Sequence, residues 1–336
     1  MKMNTQKTIH LISTGGTIAS APGEDGRNIS GALTGEALAQ SLVLDASISL
    51  HVHSLLQKPS NAITPADWLK IVQHCQQLIQ QQETDGIVIT HGTDTLEDTA
   101  YCLHCVLDTA RVPIIVTGSQ RVPHALGSDA HANLKAAIDA AASGSCRDTG
   151  VLVAFNESLF SAAFARKVSS FQLNGFDAPG LGSQGFIDQG QVTMLQRPAR
   201  QALLPLPVNA LPRVEILPIH AGASIEMLDA ILSTHPAGLV IDAVGRGHVP
   251  PDWMPSLQHA IGTDGLPVLI TSNTLHGAIH PVYQFAGSLH ELMAAGAIGV
   301  RHLSARKARI RLALLLANGQ QDSTSIQQAF EWQVPV

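Results

Sequence analysis

Two apolar runs in the first hundred residues each end in a tight, hydroxyl-rich turn, and this pattern constrains the fold more than any other feature. Thr8 to Ile12 is broken at once by Ser13-Thr14-Gly15-Gly16-Thr17, and Gly86-Ile87-Val88-Ile89 runs into Thr90-His91-Gly92-Thr93-Asp94-Thr95-Leu96-Glu97-Asp98. Short apolar runs bounded by turn signals read as strands buried on both faces, the habit of parallel sheets. In an open α/β sheet, ligands bind in the crevice outside the carboxyl ends of such strands. Two threonine-bearing turns are therefore expected to converge on one crevice.

The rest of the chain continues the alternation. Strand-like runs at residues 9–13, 86–90, 113–118 and 150–155 are separated by helical patterns. Thr64-Pro65-Ala66-Asp67 has the form of a helix start, with a capping threonine, proline at the first helical position and an acid closing the box, and the helix should run to about residue 82. An alanine-rich helix is expected over 128–142. Pro198, Pro205, Pro207 and Pro212 then punctuate 196–213, which reads as a semi-rigid linker. Beyond it come strands near 214–218, 238–243 and 267–271, with helices near 225–232, 253–261, 289–295 and 304–316. The expectation is a two-domain α/β protein: a larger domain over 1–195 with a mostly parallel sheet, and a smaller, flavodoxin-like α/β domain over 214–336.

Composition agrees with helix-covered parallel sheets. Of the 336 residues 45% are hydrophobic but only 4% aromatic, so the core must be built from Ala, Val, Ile and Leu. Charged residues are only 14%, which implies surface buried between subunits. A formal net charge of -6 and a pI near 6.2, with no basic cluster, argue against nucleic acid or an anionic membrane as partner. No stretch approaches the roughly twenty apolar residues of a membrane span. Met1 to Lys7 is polar and runs straight into the first strand, leaving no room for a cleavable apolar leader, so a cytoplasmic protein is expected. Of the four cysteines, Cys102 and Cys105 are spaced CxxC but fall inside an apparent helix with no second pair, and read as buried thiols.

Each turn alone has an ordinary reading, because Ser, Thr, Gly and Asp are the usual cap and turn residues. Thr95 with Asp98 three places on has the form of a capping box. Together, TGGTIAS and ITHGTDTLEDTA, about eighty residues apart, closely resemble the two signatures of the bacterial-type asparaginase/glutaminase family. The resemblance covers the whole length and is strongest before residue 170, with Ala305-Arg306-Lys307-Ala308-Arg309 recognisable near the end.

That resemblance implies an L-asparaginase acting through a threonine nucleophile and an acyl-enzyme, with glutamine as a possible secondary substrate and no cofactor or metal. Thr14 would be the nucleophile and Thr93 the second threonine. Lys167, eleven places after Asn156, would be the lysine linked to Thr93, although on its own it reads as an ordinary exposed lysine. A threonine hydroxyl is a poor nucleophile and needs such an activator. Asp94, spare if Thr95 and Asp98 cap the helix, would bind the substrate's α-ammonium. Ser60 and Asn61 would bind the α-carboxylate and amine, with Asn61 shorter than the glutamine common there. Ser119 would offer its backbone carbonyl to the leaving nitrogen. Secreted members of the family often carry a disulfide joining the regions near residues 81 and 111, where this chain has Gln81 and Arg111, an absence that fits a reducing compartment.

The departures concern the lid. The segment from Ala21 to Gly31 lacks the family's tyrosine; the two tyrosines of the chain are Tyr101, in a helix, and Tyr283, near the position of a glutamate that relatives supply from a neighbouring subunit. His248 stands where relatives place an asparagine. Tyr283 and His248 are thus candidates to enter the site in trans from a partner chain, within a homotetramer built as a dimer of dimers. Among sixteen histidines, His51 and His53 alternate on a strand-like segment and His276 and His280 are four apart, but no HExxH or paired ligand motif appears, and no metal site is expected. The competing readings are an amidase for a related small carboxamide and a non-catalytic amino-acid-binding homologue. A tRNA-dependent amidotransferase subunit would need an added N-terminal domain that this length leaves no room for.

Overall fold

The computed structural model describes residues 6–25, 27–40, 42–197 and 199–332. Gly26 of the lid segment, Pro198 of the linker and the terminal residues 1–5 and 333–336 lie outside the described residues. The chain divides into two compact units, Met1–Pro198 and Ala199–Val336.

In the first unit the sheet strands are β1 (Lys7–Gly15), β2 (Ile48–Lys58), β3 (Thr84–Thr90), β4 (Ile114–Thr117), β5 (Leu152–Phe155), β6 (Ser158–Ser161), β7 (Gly185–Asp188) and β8 (Gln191–Met194). Among the described residues they form one eight-stranded sheet in the order β8-β7-β6-β5-β4-β3-β1-β2. The five strands from β2 to β5 in that order pair parallel, and β6, β7 and β8 continue antiparallel. From β1 the chain moves outward to β2, then returns to place β3 on the other side of β1. This reversal is a topological switch point, where neighbouring loops diverge and leave a crevice. It falls between the strands that carry the two hydroxyl-rich turns.

Three longer helices cover this sheet: α1 (Pro65–Gln80), α2 (Leu96–Val106) and α3 (Ala130–Ala142). Both halves of the Thr64 and Asp67 capping box are present at the start of α1, with Pro65 at its first position. The third helix begins two residues later than its sequence pattern implies, because Asp129 turns its carboxylate to the backbone N–H groups of Gln120 and Arg121, both at 2.9 Å. Ile9 and Leu11 of β1 pack with Leu134, Ala137 and Ile138 of α3 in the core of this unit.

Alternation along a strand sends His10 to the opposite face. There its Nδ1 lies 2.9 Å from Nε2 of His53, and the His53 ring meets His74 of α1 edge-on at 4.8 Å between centroids. The His51 ring lies 5.4 Å from that of His10. The two histidines expected to alternate on one strand thus join two from other elements in a four-imidazole cluster. All four cysteines are buried and none is bridged in a disulfide, with Cys102 and Cys105 inside α2.

The second unit holds a four-stranded parallel sheet with strands in sequential order: β9 (Val214–Pro218), β10 (Gly238–Ala243), β11 (Val268–Ser272) and β12 (Ile298–Gly299). Its helices are α4 (Ile225–Ser233), α5 (Met254–Gly262), α6 (Leu289–Ala294), α7 (Ala305–Ala317) and α8 (Ser323–Ala329). Leu239, Ile241, Val268 and Ile270 pack with Leu228, Trp253 and Leu257 in its own core. Residues 199–213 contain no helix or strand, and they run along this unit: Gln201 Nε2 donates to Phe330 O, Arg311 Nη2 to Ala202 O and Asn318 Nδ2 to Pro205 O. No helix among the described residues is long and apolar enough to cross a membrane.

Candidate active site

At the switch point the two turns meet backbone to backbone. Gly16 has a φ of 83°, and a side chain there would bring its Cβ within 2.3 Å of Gly92. Only glycine satisfies both the left-handed conformation and that approach. Gly16 N also donates to Lys58 O at 3.1 Å, so β2 braces the same turn. Behind it, Lys58 Nζ donates to both carboxylate oxygens of Asp67, at 2.9 and 2.8 Å. Burial pushes the Asp67 carboxyl up, but the bonds from Lys58 and Thr64 outweigh it and hold the group below its ordinary range.

Thr14 and Thr93, 1% and 5% exposed, lie on these turns. Thr14 Oγ1 donates to Thr90 O at 2.8 Å. A carbonyl can hold that proton but not take it, so this bond orients the Thr14 hydroxyl without deprotonating it. Thr93 Oγ1 lies 2.8 Å from Lys167 Nζ, which also reaches Asp94 Oδ1 at 2.6 Å. Lys167 is placed by a two-residue antiparallel ladder, Arg166–Lys167 against Phe176–Asp177. Its side chain is only 15% exposed while that of Asp94 is 68% exposed, so the carboxylate is the part of the pair that an incoming ammonium can reach.

The expected capping box at Thr95 and Asp98 does not form. No side-chain bond caps α2; Thr95 instead spends its hydroxyl on Ser60 O, at 2.7 Å. A hydroxyl bonds whichever acceptor tertiary packing brings nearest, and here that is the Ser60–Ala62 turn. The consequence is favourable to the crevice, because Thr95 ties the Ser60 loop to the Thr93 loop. Ser60 is buried beside Gly92 and Asn61 is exposed next to it. Ser119 is fully buried, its hydroxyl donating to Arg121 O at 2.7 Å. Thr14, Ser60, Thr93, Asp94, Ser119 and Lys167 all belong to the first unit.

His91 sits beneath the second turn. Its Nδ1 faces Gly92 O at 2.8 Å, and a carbonyl can only accept, so Nδ1 carries the proton and Nε2 accepts from Thr99 Oγ1 at 2.9 Å. Burial lowers its pKa, so the ring is a neutral strut rather than an acid. Two further groups escaped the sequence reading. Gln120 touches Thr93, and Asn133 Nδ2 donates to Gly118 O at 2.9 Å and Asp129 Oδ2 at 3.0 Å, holding the Ser119 loop. An amide or acid far along the chain from a motif carries no local signal that it will reach it.

His248 and Tyr283 lie in the second unit. With Phe285 they form an aromatic group, ring centroids 5.7 Å apart for His248 and Tyr283 and 4.8 Å for His248 and Phe285. Tyr283 is 52% exposed. Leu289 N donates to His248 Nδ1 at 3.4 Å, and burial lowers the pKa of this ring.

Fold and site together define an α/β protein whose hydroxyl, lysine and carboxylate groups gather at the switch point of a parallel sheet, an arrangement suited to acyl transfer. The chain belongs to the asparaginase family: residues 8–200 match the model described as asparaginase, N-terminal, and 213–330 the glutaminase/asparaginase C-terminal domain. It is 37% identical to the L-asparaginase of Bacillus licheniformis over 312 residues, covering 93% of this chain and 96% of that one. It is 28% identical to the glutaminase-asparaginase of Pseudomonas fluorescens over 336 residues, 95% of this chain and 89% of the other. The solved structure of the protein named probable cytoplasmic L-asparaginase of Campylobacter jejuni superposes with a TM-score of 0.84 at 26% identity, covering 97% of this chain and 99% of that one.

Proposed function

We propose that this protein hydrolyses L-asparagine to L-aspartate and ammonia, with L-glutamine as a secondary substrate. The observation that carries the reading is the contact of Lys167 Nζ with both Thr93 Oγ1 and Asp94 Oδ1 at the mouth of the switch-point crevice. Thr14 attacks the carboxamide carbon, the tetrahedral intermediate expels ammonia, and water then cleaves the resulting ester to release the acid and restore the hydroxyl. Thr93 and Lys167 handle the protons of both steps. Asp94 holds the substrate's α-ammonium, Ser60 and Asn61 its α-carboxylate and amine, and the Ser119 carbonyl the leaving nitrogen. The names of the Bacillus and Campylobacter relatives support the substrate; the name of the Pseudomonas relative supports glutamine as the second.

Ammonia release over a panel of amides tests this. Asparagine should be the best substrate; a faster reaction with an unrelated small carboxamide, or none with asparagine, would sink the assignment. The division of labour gives a sharper expectation. Asp94→Asn should raise KM by about tenfold or more through loss of a charge-assisted contact, whereas Lys167→Met should act chiefly on kcat, by about a hundredfold or more, through loss of proton handling. Equal shifts in both parameters for both variants would reject the separate roles.

The working assembly we propose is a homotetramer in which His248 or Tyr283 of one chain completes the site of its neighbour. The exposed Tyr283 ring beside His248, and the low charged fraction, support it. Mixing Thr14→Ala chains with chains carrying Tyr283→Ala and His248→Ala should then restore activity, since hybrid pairs contain one site made of two intact halves. Demonstrated subunit exchange with no recovered activity would refute the shared site. A cytoplasmic location is supported by the name of the Campylobacter protein.

A further inference from the structure

Thr93 Oγ1 has one proton and two lone pairs to place. Lys167 Nζ stands 2.8 Å away and is drawn to the Asp94 carboxylate at 2.6 Å, which favours an ammonium that donates to both. The hydroxyl of Thr93 then has to send its own proton elsewhere, and the acceptor facing it is Gln120 Oε1, at 3.4 Å. The orientation of that amide follows from its other end: Nε2 donates to Ser169 O at 2.9 Å, and because a carbonyl accepts only, the oxygen must be the end that faces Thr93.

The surroundings are built to hold this side chain. Gly175 faces it where any Cβ would lie 2.1 Å from Nε2. Both Val168 N and Ser169 N donate to Gly175 O, at 2.8 and 3.3 Å, so the loop that receives the amide is the one that carries Lys167. At its base, Gln120 N donates to Asp129 Oδ2 at 2.9 Å, and Asp129 is held in turn by Asn133. One side chain thus joins the Thr93 loop, the Ser119 loop and the Lys167 loop.

We propose that Gln120 is a positioning residue that directs the Thr93 hydroxyl proton, presenting an oxygen lone pair to Lys167 at rest. At 3.4 Å the bond is longer than the usual 2.7–2.8 Å of a hydroxyl donor, so it aims the hydroxyl without locking it. When a substrate ammonium draws Asp94 away from Lys167, the proton can swing from Gln120 to the amine. The proposal rests on the reading of Thr93 and Lys167 as the proton-handling pair.

The test uses the full-length protein and asparagine. Gln120→Leu removes both amide bonds and should lower kcat by about tenfold or more, with KM within about threefold, the mark of an orientation lost after binding. Gln120→Glu keeps an acceptor oxygen but adds a carboxylate beside Thr93, which favours the protonated site and should move the rising limb of kcat against pH upward by about half a unit or more. A residue that only fills space would leave kcat unchanged in Gln120→Leu, whereas the acceptor oxygen kept by Gln120→Glu should hold the plateau kcat within about threefold of the parent. A wild-type pH limb in folded Gln120→Glu, or Gln120→Leu folded with unchanged kcat, overturns the proposal; if Gln120→Leu fails to fold, the pH limb of Gln120→Glu decides. Thr93→Val serves as the control. If it remains active, the reading of the pair itself has failed; if it is inactive while the Gln120 variants behave as wild type, only the role of Gln120 has.

Discussion

Thr14→Ala and Thr93→Val are each expected to abolish asparagine hydrolysis, by about four orders of magnitude or more, while leaving a folded protein. The reasoning separates chemistry from packing. Each hydroxyl sits on a turn, and its loss removes one hydrogen bond for Thr14, to Thr90 O, and two for Thr93, with Lys167 and Gln120, a change that costs folding about 1 kcal/mol per bond. In the proposed mechanism the two belong to one unit, and removing a member of such a unit costs nearly as much as removing all of it. Steady-state ammonia release together with a urea titration checks both halves of the claim. Near-normal turnover by Thr14→Ala would show that Thr14 is not the nucleophile; inactivity accompanied by unfolding would show that the hydroxyl was needed for the turn.

A second large effect is expected from acid. His10, His53 and His74 all have pKa values below the ordinary histidine value, His10 down to about 4, with burial as the main cause and the neighbouring imidazoles adding to it for His10 and His53. His51 faces the same cluster, and Glu36 is the carboxylate whose charge acts on His53 in the opposite sense. The unfolded chain binds protons at these rings once pH falls below about 6.5, whereas the folded chain refuses them until lower pH. Stability from this cluster is therefore complete above about pH 6.5 and is lost as pH falls toward 4. The loss should reach the Thr14–Gly16 turn, because β2 carries both His53 and the Lys58 carbonyl that accepts from Gly16 N.

Replacing His10 by Asn and His53 by Gln can keep a donor–acceptor pair near the sites of Nδ1 and Nε2, an amide nitrogen on one side and an amide oxygen on the other, but removes the titration. The double variant should show a flatter fall of the urea midpoint between pH 7.5 and 4.5 than the parent. An unchanged slope would mean that the acid sensitivity arises elsewhere, with buried His91 the next group to replace.

What could be read from the sequence was local. Glycines next to threonines after apolar runs mark strand ends, because few other residues allow the turn, and the Thr64 to Asp67 box begins its helix as written. The strands of the smaller domain at Val214–Pro218 and Gly238–Ala243 follow from short runs that are apolar but for Glu215 and Asp242. The same locality explains the misses. Antiparallel β6, β7 and β8 are four residues each and carry too little pattern to stand out. The helix at Ser323–Ala329, seven residues, spans only about two turns.

Hydrogen-bond partners lay beyond that reach. Thr95 has the sequence of a cap, yet its hydroxyl goes to Ser60 O, 35 residues away. Asp129 serves the backbone of Gln120 and Arg121 instead of its own helix, and Gln120, unremarked in the sequence, reaches both Thr93 and the loop of Lys167. The histidine cluster arises because parallel register sets His10 opposite His51, with His53 two residues further along the same face and His74 on the helix above. Backbone propensity and apolar spacing act over a few residues, so the sequence by itself determined the turns with their threonines and most of the longer elements, while Lys167 and Asp94 were marked by the family resemblance. Side-chain partners are chosen by which groups the folded sheet brings within 3 Å, and only the tertiary structure decided those.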